Sequence, residues 1–212
     1  MSRENVNTIF DNVAFIVFNY DRCVEQFLCE ALRVYYQLQP SQIIDVMGRL
    51  KIYPPYGQVG RLRAASELGG IGYGHEPSPE MLILLAQQIK TFTERVEEEG
   101  ELAAFRQEIT TANKLVFLGF AFHEINMKLL STGKNCSNRS IYGTRFGVSD
   151  SDAAVITQRV RLMFKETLDP IRATVQEKME SSAREIQFSS MPVNLHKGTC
   201  TDLFSEYSMS IG

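Results

Sequence analysis

The 212-residue chain predicts an α/β fold with a mainly parallel sheet, and three observations carry that prediction. Short continuous apolar runs, such as "VAFIVF" at 13–18 and "KLVFLGF" at 114–120, read as strands buried on both faces. Between them lie longer segments whose apolar residues recur at helical spacing. Pro, Gly and Ser punctuate the boundaries, so strands and helices alternate along the chain, as in a sheet wound by crossover helices.

Each element follows from its residues. After the run at 13–18, Val24, Phe27, Leu28, Ala31, Leu32 and Tyr35 predict an amphipathic helix with that face inward. "LKIY" at 50–53 is a shorter strand, stopped by Pro54 and Pro55. "GGIGYG" at 69–74 reads as a loop rich in conformational freedom. Ser78 and Pro79 start a helix, since Ser caps and Pro at the first turn sacrifices no needed N–H. Leu82, Leu85, Ile89, Phe92 and Val96 form its expected stripe, and the acidic run at 97–99 ends it.

A further helix is expected with Leu102, Phe105 and Ile109 inward, then strands at 114–120 and 139–147. Ser149 to Asp152 supplies a capping pattern before a helix using Ile156, Val160 and Met163. Pro170 interrupts that helix, and a more polar one is expected over 171–187. One domain over residues 1–187 is the reading, with 188–212 an extended or loosely packed tail.

Composition narrows the function classes. A formal charge of −3 without a Lys/Arg run gives no support to broad nucleic-acid binding. The apolar runs are too short to span a bilayer, and the polar start "MSRENVNTIF" lacks a secretory core, so a cytoplasmic location is expected. Cys23, Cys29, Cys136 and Cys200 form no CxxC pair, and His75, His123 and His196 are scattered, so no metal is expected.

In a parallel sheet, ligands bind beyond the carboxyl ends of the strands. Asn19, Tyr20 and Asp21 follow the first strand, Tyr56 and Gly57 the second, and Gly119 ends a later one. Asp21 capping the next helix is an equally simple account of an acidic residue there. Arg22 and Arg145 suit phosphate, although solvated surface charge is the commoner fate of such residues. Phe117, Phe120 and Phe122 fit core packing better than base stacking.

The segments "FIVFNYDRCVEQFL", "YPPYGQVG", "LVFLGFAFHEINMKLL" and "SIYGTRFGVSDSD" together resemble the bacterial sirtuin-like domain proteins over residues 13–160. That resemblance implies a Rossmann-like NAD-binding fold, incomplete at its N-terminus, and NAD-cleaving hydrolase chemistry. It aligns Asn19 and Asp21 with the Asn-x-Asp pair of the NAD pocket: Asn19 positions the ribose or attacking water, and Asp21 helps hold nicotinamide. Cleavage of the glycosidic bond builds positive charge on the ribose, which oriented polar groups and a carboxylate stabilise. Gly57 and Gly119 align with cofactor-binding positions, and at Gly119 the missing side chain lets the nucleotide approach the backbone.

Two departures accompany the resemblance. Tyr56 stands where active relatives carry His, and an unperturbed phenol of pKa about 10 is a poor base at neutral pH. The dozen residues before "VAFIVF" hold neither the apolar strand nor the Gly-rich turn that binds a diphosphate. The expectation is therefore partial retention of an NAD or ADP-ribose crevice, with weak or no NAD glycohydrolase activity. Deacylation is disfavoured because no zinc-binding cysteine module is present. The alternative is a non-catalytic sensing or scaffolding module, its unpaired sheet edge favouring a homo-oligomer or a protein partner.

Overall fold

In the computed structural model the described residues are 3–60, 71–90, 99–133, 140–164 and 191–211. The fold is α/β, with small parallel sheets flanked by helices. The chain divides into two compact units, Met1–Leu102 and Ala103–Gly212, where the sequence reading draws one domain.

The first unit opens with a 3-10 turn, Arg3–Thr8. Strand β1 (Ala14–Ile16) pairs in parallel with β2 (Lys51–Tyr53), placing Phe15 opposite Ile52. The Val17 N–H donates to the Tyr53 carbonyl at 2.9 Å and extends the pairing. Between the strands run α1 (Cys23–Tyr35) and α2 (Pro40–Met47). Val6, Phe10, Leu32 and Val46 form the core here, with Leu28, Ile43 and Leu50 packed against it.

Three expectations need correction in this unit. β1 is half-buried rather than buried on both faces; among the described residues its sheet has two strands. Helix α1 buries only part of the predicted stripe: Leu32 is buried and Leu28 packs on the core, but Phe27 and Tyr35 are 68% and 79% exposed and the charged Glu25 is buried instead. Helix α2 was not expected. Pro40 opens it, and the Gln39 N–H donates to Gln42 Oε1 at 2.9 Å across its first turn.

Helix α3 (Pro79–Ala86) is capped by Ser78, whose hydroxyl accepts the Met81 N–H at 3.4 Å. It stops earlier than the apolar stripe predicts. Leu85 is buried, but Leu82, Ile83 and Leu84 are exposed, and Ile89 lies in an antiparallel bridge to Gly57. Phe92 and Val96 fall outside the described residues. α4 (Glu99–Thr111) then leads into the second unit.

In the second unit, β3 (Lys114–Phe117), β4 (Ser140–Thr144) and β5 (Val193–His196) form a parallel sheet in the order β3-β4-β5. Gly143 faces Phe117 on one side and Leu195 on the other, and Thr144 pairs with His196. Helix α5 (Glu124–Leu130) follows β3 and α6 (Asp150–Leu162) follows β4. After β5 come α7 (Cys200–Glu206) and the single turn α8 (Ser208–Ile211). Phe105 and Ile109 of α4 and Val160 of α6 are buried, as their spacing predicts, and Ile141 of β4 is buried with them.

The expected loose tail is overturned. Residues 193–196 supply a sheet strand, and Leu203 of α7 is fully buried. Thr199 caps α7, accepting the Asp202 N–H, while Asp202 Oδ2 accepts the Thr199 N–H at 2.8 Å. The helix expected over 171–187 lies outside the described residues. No helix among the described residues is long and apolar enough to cross a membrane.

Candidate functional site at the strand ends

In the first unit the two segments that follow the paired strands lie against one another. The Val59 N–H donates to the Tyr20 carbonyl at 2.9 Å, and the Phe18 and Tyr56 rings meet edge-on with centroids 5.8 Å apart. Because β1 and β2 are parallel, their carboxyl ends bring "FNYD" and "PPYGQV" to the same edge. Asn19, Tyr20 and Asp21 are exposed there, and Tyr56 and Gly57 are half-buried.

Asp21 is tied locally. Its Oδ1 accepts the Cys23 N–H at 2.9 Å, opening α1. That bond is the main cause holding its carboxyl below the usual aspartate range; bonds from the Cys23 thiol and the Asn19 side chain add to it, and slight burial opposes it. Asn19 and Asp21 thus lie close together, an exposed amide beside an exposed carboxylate. The two residues offer a negative charge held by the Cys23 N–H and an amide beside it, groups able to stabilise developing positive charge. Asp21 is not the N-cap of α1, which is Arg22 without a side-chain cap; from one residue earlier its exposed carboxylate bonds the first N–H of the helix.

At Gly57 glycine is required by the chain itself. Its φ is +74°, and a Cβ there would sit 1.9 Å from the Gln88 carbonyl oxygen. The close approach that demands glycine is made by the chain's own backbone, which the Gly57–Ile89 bridge and the Lys90 N–H bond to the Tyr56 carbonyl hold in place. Tyr56 is thus fixed on both sides, by its ring and by its carbonyl.

Arg22 does not present a free guanidinium for phosphate. It is 7% exposed and donates to the Ile71 carbonyl and, at 3.4 Å, to the Gly72 carbonyl. It latches the start of α1 to the 71–72 loop. The same loop places the Tyr73 hydroxyl 3.0 Å from Cys23 Sγ. Sequence reasoning missed this latch, because its partners lie about fifty residues away.

Gly119 belongs to the second unit. It is exposed with φ +58°, and nothing lies within 4 Å of where a Cβ would be. Here glycine answers the backbone conformation and leaves open space. Phe117, Phe120 and Phe122 pack on one another at centroid distances of 5.1–5.5 Å, so the aromatic group is packing rather than a stacking platform. Arg145 is engaged as well, donating to Asp150 Oδ1 at 2.7 Å and to the Leu195 carbonyl at 3.1 Å. The Ser149 hydroxyl accepts the Asp152 N–H at 3.0 Å, so its capping role is realised. His75 and His123 are exposed.

No group of three His, Cys, Asp or Glu side chains placed to hold a metal ion occurs among the described residues. No family model matches the chain, and neither a curated protein nor a solved structure matches it.

Proposed function

We propose that this chain is a sirtuin-like α/β protein that retains part of an NAD or nucleotide crevice and has weak or no NAD glycohydrolase activity alone. The supporting observation is the placing of Asn19 and Asp21, both exposed, at a parallel strand end backed by the turn at 56–59. In this reading Asn19 orients the ribose or a water, and Asp21 supplies the negative charge on the nicotinamide side. Tyr56, in the place of a catalytic His, holds a ligand hydroxyl without acting as an efficient base. Gly119 is read separately, as the point in the second unit where a nucleotide nears the backbone.

Calorimetric titration of NAD and of ADP-ribose into the full chain, beside Asn19→Ala, tests the reading. Saturable binding that the variant loses supports it, and release of nicotinamide from NAD would establish turnover. Absence of binding by folded protein removes it.

A second reading has its own observation. Phe27 and Tyr35 on α1, and Leu82, Ile83 and Leu84 on α3, are large apolar side chains exposed on helices. A non-catalytic module that docks a protein partner or a second copy of itself would use such faces. Sedimentation across a wide concentration range separates this case, since a monomer throughout argues against self-association.

A further inference from the structure

The turn after β3 is pinned at two points, and one of the pins is a residue that the site reading does not include. Thr144 ends β4 and is 6% exposed. Its hydroxyl accepts the Gly119 N–H at 2.9 Å. Three residues on, Phe122 also has a left-handed φ, +53°; its ring is buried, and its carbonyl accepts Arg159 Nη1 at 3.0 Å. Between these anchors the open side of Gly119 is left without a neighbouring heavy atom.

A non-glycine residue in left-handed conformation is uncommon, and a second positive φ in the same short turn needs its surroundings to hold it. An N–H donated to a buried hydroxyl fixes the peptide plane before Gly119, and with it the direction in which the glycine faces. We infer that Thr144 is the positioning residue of this turn, and that its hydroxyl keeps Gly119 open to an approaching nucleotide. The inference rests on the reading of Gly119 as a point of nucleotide approach and adds the group that maintains it. Thr144 itself need not touch the ligand.

Thr144→Val preserves shape and removes the acceptor, whereas Thr144→Ser keeps the hydroxyl. Two readouts separate the possibilities. In the free protein, amide hydrogen exchange at Gly119 should quicken in Thr144→Val and stay near wild type in Thr144→Ser. In calorimetry with ADP-ribose as the probe, Thr144→Val should lose about tenfold in affinity, the effect of one hydrogen bond at the upper end of its usual worth, and Thr144→Ser should recover it. Unchanged Gly119 exchange in Thr144→Val overturns the inference. So does faster exchange with wild-type affinity, since the turn would then be held without serving a ligand. Failure of the wild type itself to bind ADP-ribose overturns the nucleotide reading and this inference with it. Loss of affinity in both variants despite intact folding also counts against the hydroxyl's role.

Discussion

The side-chain amide of Gln58 donates to the carboxylate of Glu25 at 2.9 Å, joining the turn after β2 to helix α1. Glu25 is buried, and Gln58 also reaches the Gly60 carbonyl at 3.2 Å. Removing the amide leaves a shielded carboxylate short of a partner. Gln58→Leu is expected to cost about 1–3 kcal/mol. In a double-mutant cycle with Glu25→Ala, a coupling of at least about 0.5 kcal/mol is expected from urea denaturation. Additive single effects would show that the bond contributes nothing.

The two glycines at the strand ends should respond differently to the same change. Gly57→Ala meets the Gln88 carbonyl as well as an unfavourable φ, so it should cost more than 3 kcal/mol or prevent folding of the unit, a rough bound from the strain and overpacking ranges. Gly119→Ala faces only the backbone penalty and should cost about 1–2 kcal/mol. Thermal melts of both variants decide. Equal losses would mean that the crowding at Gly57 is relieved by a small shift.

Acid should destabilise the protein in a narrow window. Asp21 is held below its ordinary range by the Cys23 N–H, Asp150 by Arg145, and Asp202 by the Thr199 N–H. A carboxylate with a depressed folded pKa contributes stability above the unfolded value of about 4, and loses it as pH falls through the folded value. Melting temperature is therefore expected to rise between about pH 3 and pH 5 and to level off above. Asp21→Asn should flatten part of that rise. A melting temperature that is level across the window would remove these bonds from the stability account.

Leu203 of α7 is fully buried, in a segment that reads as tail. Leu203→Ala should cost about 2–5 kcal/mol, the range for a buried leucine. A loss under about 0.5 kcal/mol, the scale of surface substitutions, would mean that α7 packs only loosely.

Four strands were legible in short runs of the sequence, β1 and β3 most clearly because their apolar residues are nearly continuous, and that signal is local. "VNLH" was not, since Asn194 separates its two apolar residues and all four positions are half-buried. Its strand character comes from pairing with β4, which a local reading cannot see. The face of α1 was only partly legible for a related reason: Leu28 and Leu32 face the core as expected, but Glu25 is accommodated inside by Gln58, thirty-three residues away. At the candidate site, Asn19 and Asp21 could be read from one tetrapeptide. Thr144 and Arg22 could not, because each acts on backbone groups 25 or more residues distant.

The order β3-β4-β5 also sets a sequence in time. β3 and β4 are joined by residues 118–139, whereas residues 145–192 separate β4 from β5. Loop closure grows more costly with length, and contacts distant in sequence slow folding. The pair β3-β4 is thus the natural early nucleus, and β5 the late arrival. Until it docks, β4 exposes a row of unpaired peptide groups flanked by Ile141 and Tyr142, the kind of edge on which nascent chains aggregate. Refolding yield, more than native activity, would then depend on protein concentration.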